Sequence, residues 1–175
     1  RDAYRKTVKA WGQLIKENPT TKGMADQGTP MGISALRYLG SMPALNFSAE
    51  QLAGTENLHG DNIKKVNEER GGKMDGCMPG CLVKCSIVFN DKNKKHVTSS
   101  YEYETIALMG SNIGLTDLDV IALLDRLSDS IGIDTIEVGA AMGLAASAGK
   151  MEMGNGDSAL ALLDEIEKGT DLGVA

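Results

Sequence analysis

Apolar residues at Tyr4, Val8, Trp11 and Ile15, with Leu14 beside them, recur at a period of about 3.6 residues and predict an amphipathic helix that Asn18-Pro19 ends. The polar run Thr20 to Gly23 and the stretch Asp26 to Pro30 read as a turn-rich connection. A short helix follows, with Ile33, Leu36 and Leu39 inward and Gly40 as its stop; Ser41 to Phe47, containing Pro43, reads as irregular. Ser48-Ala49-Glu50-Gln51 has the form of a capping box and predicts a brief helix closed by Gly54. Asp61 is the expected cap of the next helix, with Ile63 and Val66 buried and the charged positions Lys64, Lys65, Glu68, Glu69 and Arg70 solvated.

After a break at Gly71-Gly72, Ile87-Val88-Phe89 is β-prone, Asn90 to Lys95 is a turn signal, and His96-Val97-Thr98 can return as a partner strand. From Tyr101 the pattern is helical again. Thr116 to Asp119 caps a helix with Val120, Leu124, Leu127 and Ile131 as its stripe, interrupted at Gly132. The next segment is dense in Gly and Ala from Gly139 to Gly149, where another backbone or a ligand can approach closely; a tight helix crossing explains it equally well. Asp157 is the expected cap of a last helix that Gly169 ends. The expected fold is therefore all-α, a multi-helix orthogonal bundle with one small β-hairpin near residues 87–98.

At 175 residues the chain suffices for one core, and a single domain is expected. With 24 acidic and 18 basic residues the net charge is −6, which argues against nucleic acid or an anionic membrane as a general partner. No segment approaches ~20 consecutive apolar residues and no signal-peptide pattern opens the chain. Three clustered cysteines fit a reducing compartment, so the cytoplasm is the expected location. The chain begins inside a helical pattern and ends without a terminal element, so an excerpt of a larger protein is expected.

All three cysteines lie in Cys77-Met78-Pro79-Gly80-Cys81-Leu82-Val83-Lys84-Cys85. Thiols packed this densely favour a metal or cluster over buried free thiols, and Pro79-Gly80 favours a loop over a helix. Three ligands are one short of the usual four. The fourth comes from outside the chain, from His59 or His96, or from nothing. Three further stretches carry weaker signals. Tyr101-Glu102-Tyr103-Glu104-Thr105 sets two carboxylates beside aromatic rings. Asp129-Ser130-Ile131-Gly132-Ile133-Asp134-Thr135 puts a helix stop against a helix start, where backbone N–H groups can bind an anion or a polar ring edge; a plain helix–cap–helix corner is the simpler account. Pro43 to Phe47 shows no chemistry of its own.

Taken in this order, together with Gly28-Thr29, these stretches resemble the tungsten-containing aldehyde:ferredoxin oxidoreductase family. The resemblance implies the first of two helical domains that follow an N-terminal pterin-cradling domain. It implies that Cys77, Cys81 and Cys85 hold a 4Fe-4S cluster whose fourth ligand lies in the last domain. It further implies that Asp129, Gly132, Ile133 and Asp134 contact a tungsten- or molybdenum-bis-pterin, and that Glu104 is a proton-transfer residue near the metal, held protonated by an apolar pocket. The implied reaction takes an aldehyde and water to a carboxylic acid, with electrons passing to ferredoxin or another electron-transfer protein; the remaining domains of the parent chain are expected partners, and the parent is a candidate homodimer. The chain departs from the family in its C-x3-C spacing where C-x2-C is usual, and in Ser100-Tyr101 ahead of Glu102 where Gly-Pro is common. Leu123 and Arg126 stand where some members bind an intersubunit metal through Glu and His, so that site is expected to be absent. Three alternatives stand beside this reading: an iron–sulfur or zinc module without its own catalysis, a relative that reduces aromatic thioesters, and an excerpt that by itself binds nothing and is inactive because the pterin domain and the fourth cysteine are missing.

Overall fold

The computed structural model describes residues 1–174. It contains eight α-helices among the described residues: α1 (Asp2–Glu17), α2 (Pro19–Gln27), α3 (Ile33–Tyr38), α4 (Gly60–Glu69), α5 (Tyr103–Leu108), α6 (Leu118–Ile131), α7 (Thr135–Ser147) and α8 (Gly156–Lys168). Between α4 and α5 lie three short strands, β1 (Lys73–Asp75), β2 (Ser86–Asn90) and β3 (His96–Ser99), in one antiparallel sheet of order β1-β2-β3. The fold is mainly helical, as the periodicity predicts. No single helix is long and apolar enough to cross a membrane among the described residues.

The expected hairpin is β2–β3, with Phe89 opposite Thr98 and an irregularity between Phe89 and Asn90. Its turn is held by Asp91 Oδ1, which accepts the N–H groups of Asn93 and Lys95 at 2.8 Å each. β1 is an addition. Three residues are too few to carry a period, and Met74 pairs with Ile87 only once the chain has turned back through the cysteines.

α6 is the centre of the core, burying Leu118, Ile121, Ala122 and Leu124 with Ile106, Met109, Ile113, Met142 and Leu163 from α5, α7, α8 and the turn before α6. The α5 segment and α6 meet at a bend of 117°. Asp117 starts α6 by accepting the N–H of Asp119 at 2.8 Å, and Gly132 ends it at φ 84°. The Gly- and Ala-rich stretch is a tight crossing: a Cβ on Gly139 would stand 2.7 Å from Leu108 Cβ, and one on Gly143 2.5 Å from Asn112 Nδ2. Small residues on α7 let α5 and the Ser111–Ile113 turn lie directly against it.

Several expectations are corrected. Residues 19–27 form a helix, not a turn, because Asn18 caps it by accepting the N–H groups of Thr20 and Thr21, with Pro19 at its first position. Ser48 to Gln51 forms no helix; the chain turns there, and a 3-10 turn follows at Thr55–Leu58. Asp61 lies within the first turn of α4, and α8 is capped by Asn155, not Asp157. Within α4 it is Asn67 that is buried beside Ile63, while Val66 is partly buried; in α6, Val120, Leu127 and Ile131 are partly buried around Leu124. Leu39 is exposed. Tyr4, Val8, Trp11 and Leu14 are exposed too, Tyr4 by 75%, because α1 packs chiefly on α2 and presents its apolar face outward.

Arg70, expected in solvent, is instead a junction. Its guanidinium makes two bonds to the Asp119 carboxylate, at 2.5 and 3.1 Å, donates to the Asn90 carbonyl, and lies over the Phe89 ring at 5.4 Å. A second polar feature sits on the other side of α6. Asp125 is 3% exposed, and the Thr98 hydroxyl donates to its Oδ2 at 2.6 Å. Burial pushes the Asp125 carboxyl from 3.8 up to about 7, against the Thr98 hydrogen bond and with the help of Asp129 and Glu102.

Replacing Arg70 with Ala is expected to lower stability by about 2 kcal/mol, less than a fully buried pair would cost because Asp119 keeps contact with water. Urea denaturation of the two proteins measures it. For Asp125 the folded state holds a proton that the unfolded chain releases, so this group's contribution to stability is full below 3.8 and is lost as pH rises to about 7. Asp125→Asn should remove this slope and, at pH 8, unfold about 2–4 kcal/mol harder than the parent. Denaturation curves at pH 5 and pH 8 read both effects, and an unchanged slope would count against a protonated Asp125.

Candidate functional site

The cysteine loop runs between β1 and β2, so both ends are fixed by the sheet while the middle is free to turn. Gly80 at φ 83° and Lys84 at φ 57° make that turn, in agreement with the loop that Pro79-Gly80 predicts. All three cysteines are free thiols; Cys77 is exposed, and Cys81 and Cys85 are half-buried. The Lys84 N–H donates to Cys81 Sγ at 3.4 Å. This N–H and that of Val83 hold the Cys81 thiol below its ordinary value, with smaller help from Cys77. Burial pushes the Cys85 thiol up, and the negative charge of Glu102 adds to it.

Among the described residues no three His, Cys, Asp or Glu side chains are gathered closely enough to hold a metal ion. The loop's own cavity is lined by Asp75, Cys77, Cys81 and Lys84, with neither His59 nor His96. His59 stands at the start of α4 with Nε2 buried and unpartnered, and His96 bonds Ser99 at the hairpin. The donor chemistry nevertheless fits an iron–sulfur cluster: three thiols on one short loop, one of them already accepting backbone N–H groups, as a cluster sulfur does.

A second site lies beyond the sheet. A cleft of ≈ 340 Å³ is lined by Ser99, Ser100, Glu102, Glu104 and Thr105 from one segment and by Asp125, Asp129, Ile133, Asp134 and Thr135 from α6 and α7. Two stretches that the sequence singles out separately thus share one cavity. Asp134 caps α7, its Oδ1 accepting the N–H groups of Ile136 and Glu137 at 2.9 and 3.0 Å. Thr105 and Thr135 join their hydroxyls at 2.9 Å and fix α5 against the start of α7. Gly132 is the exposed corner between α6 and α7 and does not itself line the cleft. A polar cleft lined by acceptor carboxylates suits a ring that presents several N–H donors, which is the polar edge of a pterin.

Glu104 lies on this cleft as an exposed side chain, so the apolar pocket expected around it is not found here. The half-buried carboxyl is Glu102, raised by its burial and by Glu104 and opposed by a hydrogen bond from Thr29. Gly28-Thr29 accounts for that bond. The Thr29 hydroxyl donates to Glu102 Oε2 at 2.7 Å while its oxygen accepts the N–H of Tyr103, the first residue of α5. Gly28, at φ 71°, is forced by contact: a Cβ there would meet Ile87 at 2.9 Å and the Cys85 carbonyl at 3.0 Å. The same stretch therefore touches the last cysteine's backbone and positions the cleft's buried glutamate. A hydroxyl pair, Ser86 to Ser100 at 3.0 Å, ties the residue after Cys85 to the cleft wall.

Asp125 is the residue that sequence reading missed. It falls on a helix among apolar neighbours, and only its packing on β3 reveals a buried acid open to the cleft. The Pro43 to Phe47 stretch is structural. Leu45, Asn46 and Phe47 all have positive φ, and the N–H groups of Leu45 and Asn46 bond to the carbonyls of Ser111 and Asn112. Asn46 Nδ2 also donates to Ser147 Oγ at 2.8 Å, pinning the segment to α7. Leu123 and Arg126 are both exposed on α6.

No curated protein matches the chain. The family model described as aldehyde ferredoxin oxidoreductase, domains 2 and 3, matches residues 6–175. With nearly every residue inside that match, and with the cysteine loop and acidic cleft arranged as described, the chain belongs to the aldehyde ferredoxin oxidoreductase family.

Proposed function

We propose that this chain is the first helical domain of a tungsten- or molybdenum-pterin oxidoreductase that oxidises aldehydes to carboxylic acids. The observation that carries the reading is the single cleft shared by Glu104, Asp129, Ile133 and Asp134, tied through Ser86 and Ser100 to the strand that follows Cys85. Residues 25 or more positions apart have no local reason to converge on one polar cavity. Cys77, Cys81 and Cys85 are three ligands of a 4Fe-4S cluster, and the fourth comes from a later domain of the parent chain. Asp129, Ile133 and Asp134 hold the pterin edge, with Gly132 as the turn that sets them at one corner.

When bound, the metal-pterin and the cluster supply the oxidation and the electron exit toward ferredoxin or a similar carrier. The chain's own residues then have three tasks. Asp129 and Asp134, the latter fixed by its cap of α7, offer acceptor carboxylates that orient a polar ring. Glu104, accessible within the cleft, exchanges a proton with the reacting molecule. Thr29 holds Glu102 in place on the same cleft, and the N–H groups of Val83 and Lys84 favour the thiolate of Cys81. A cytoplasmic setting suits free thiols of this kind.

Elemental analysis of the full-length protein, purified without oxygen, tests the reading first. Tungsten or molybdenum with about four irons per chain is expected; zinc alone, or a folded protein without metal, would overturn it. Glu104→Gln in the same protein is expected to reduce aldehyde turnover about 100-fold at unchanged metal content. Cys81→Ser should lower iron and the visible cluster absorption while the pterin metal is retained, and iron that stays full would remove Cys81 from the ligand set.

A further inference from the structure

Asp125 has no part in the roles given above, yet it is the most buried carboxyl on the cleft. Its hydrogen-bond partner is the neutral Thr98 hydroxyl, and among the described residues no Lys, Arg or His lines the cavity. A charged carboxylate buried without a cation is costly, so the group keeps its proton to about pH 7. The surrounding charges are all of one sign. Asp129 faces it from its own helix; Glu102 and the neutral phenol of Tyr101 approach from the segment before α5; Glu104 and Asp134 complete the cleft from α5 and α7. β3 contributes Thr98, with His96 engaged by Ser99, and no group of α8 lines the cavity.

We propose that Asp125 is a proton-relay residue of the cleft, taking protons from Glu102 and Glu104 and passing them to solvent at the Asp129–Asp134 rim. The inference rests on the aldehyde-oxidising reading. That reaction converts RCHO and H2O to RCOO⁻, two electrons and three protons: an aldehyde C–H bond and the O–H bonds of water break, and a C–O bond forms. The electrons leave toward the cluster and its carrier, so the protons need titratable groups of their own. Exposed Glu104 meets the reacting molecule, half-buried Glu102 stands beside it, and Asp125 lies where α6 closes the floor against β3. A carboxyl that titrates near neutral pH both accepts and releases a proton readily, whereas a surface aspartate near 3.8 accepts one poorly. Asp125 acts through the glutamates and does not itself touch the substrate.

The test uses the full-length, metal-loaded enzyme and its Asp125→Asn and Asp125→Glu variants. Asn keeps an acceptor for the Thr98 hydroxyl and carries no charge, so the fold and metal content should survive. Expected are an infrared band of a protonated carboxyl that titrates near pH 7 and vanishes in Asp125→Asn; a fall of about 10-fold in kcat, with loss of the limb near pH 7 and a larger solvent isotope effect; and recovery in Asp125→Glu. If the enzyme oxidises aldehydes and Asp125→Asn keeps the parent's pH profile and isotope effect, the relay is wrong and the function stands. A parent without a titrating carboxyl band also overturns the relay. A metal-loaded parent with no aldehyde oxidation overturns the function, and the relay falls with it.

Discussion

Tyr101 is the side chain on which the two halves of this domain close. It is fully buried, its hydroxyl donates to the Leu118 carbonyl at 3.1 Å, and its ring lies 5.1 Å from Phe89. Phe89 in turn sits under Arg70, which holds Asp119 in the first turn of α6. One contiguous set of aromatic, cation–π and charged contacts thus joins α4, the sheet and α6. The hydroxyl has to find a polar partner because its buried phenol would otherwise lose its hydrogen bonds to water; a carbonyl in the first turn of a helix is a nearby acceptor. The position of Glu102, the next residue, follows from this closure.

The cleft inherits its character from the same constraint. With Tyr101 driven inward, Glu102 turns to Thr29 and α5 starts at Tyr103, so Glu104 emerges one residue into the helix on the cavity side. α6 crosses beneath and contributes Asp125 and Asp129 at a separation of four residues, one helical turn, on one face. The α6–α7 corner adds Asp134. Five carboxyls then share a cavity with no cation among the described residues, and the cost of charging the most buried of them raises it to about 7. Such an arrangement suits a site that binds donors and moves protons. It is the opposite of a phosphate site.

The cysteine loop stands apart in kind. The sheet anchors its ends, yet its three sulfurs are not gathered into a metal cage by this chain's own packing. Loops that hold clusters owe much of their order to the metal and to ligands from elsewhere. What this domain does fix is the direction of approach: Cys85 leads directly into β2, Gly28 packs on its carbonyl, and Ser86 reaches Ser100 at the cleft. The outward apolar face of α1 is likewise a property of this chain alone, left uncovered by its own elements.

The periodicity by itself determined most of the helices, the β2–β3 hairpin and the loop at Pro79-Gly80, because turn chemistry and a 3.6-residue stripe are local properties of the chain. The clustering of Cys77, Cys81 and Cys85 was legible in the sequence as well, while Glu104 and the Asp129–Asp134 corner were singled out by the family resemblance. Tertiary structure decided what faces what. The α1 stripe was legible as a helix but not as an exposed one, since amphipathicity names a face without naming its partner. α2 was hidden because the Asn18 cap competes with a run of turn-forming residues. β1 was hidden because three residues have no period. Arg70 reads as solvated until Phe89 and Asp119 arrive from elsewhere in the chain, and nothing singles out Asp125 until β3 covers it. Whether a charge is solvated, paired or kept protonated depends on the dielectric and the neighbours that packing supplies, and those contacts are set by residues far away in sequence.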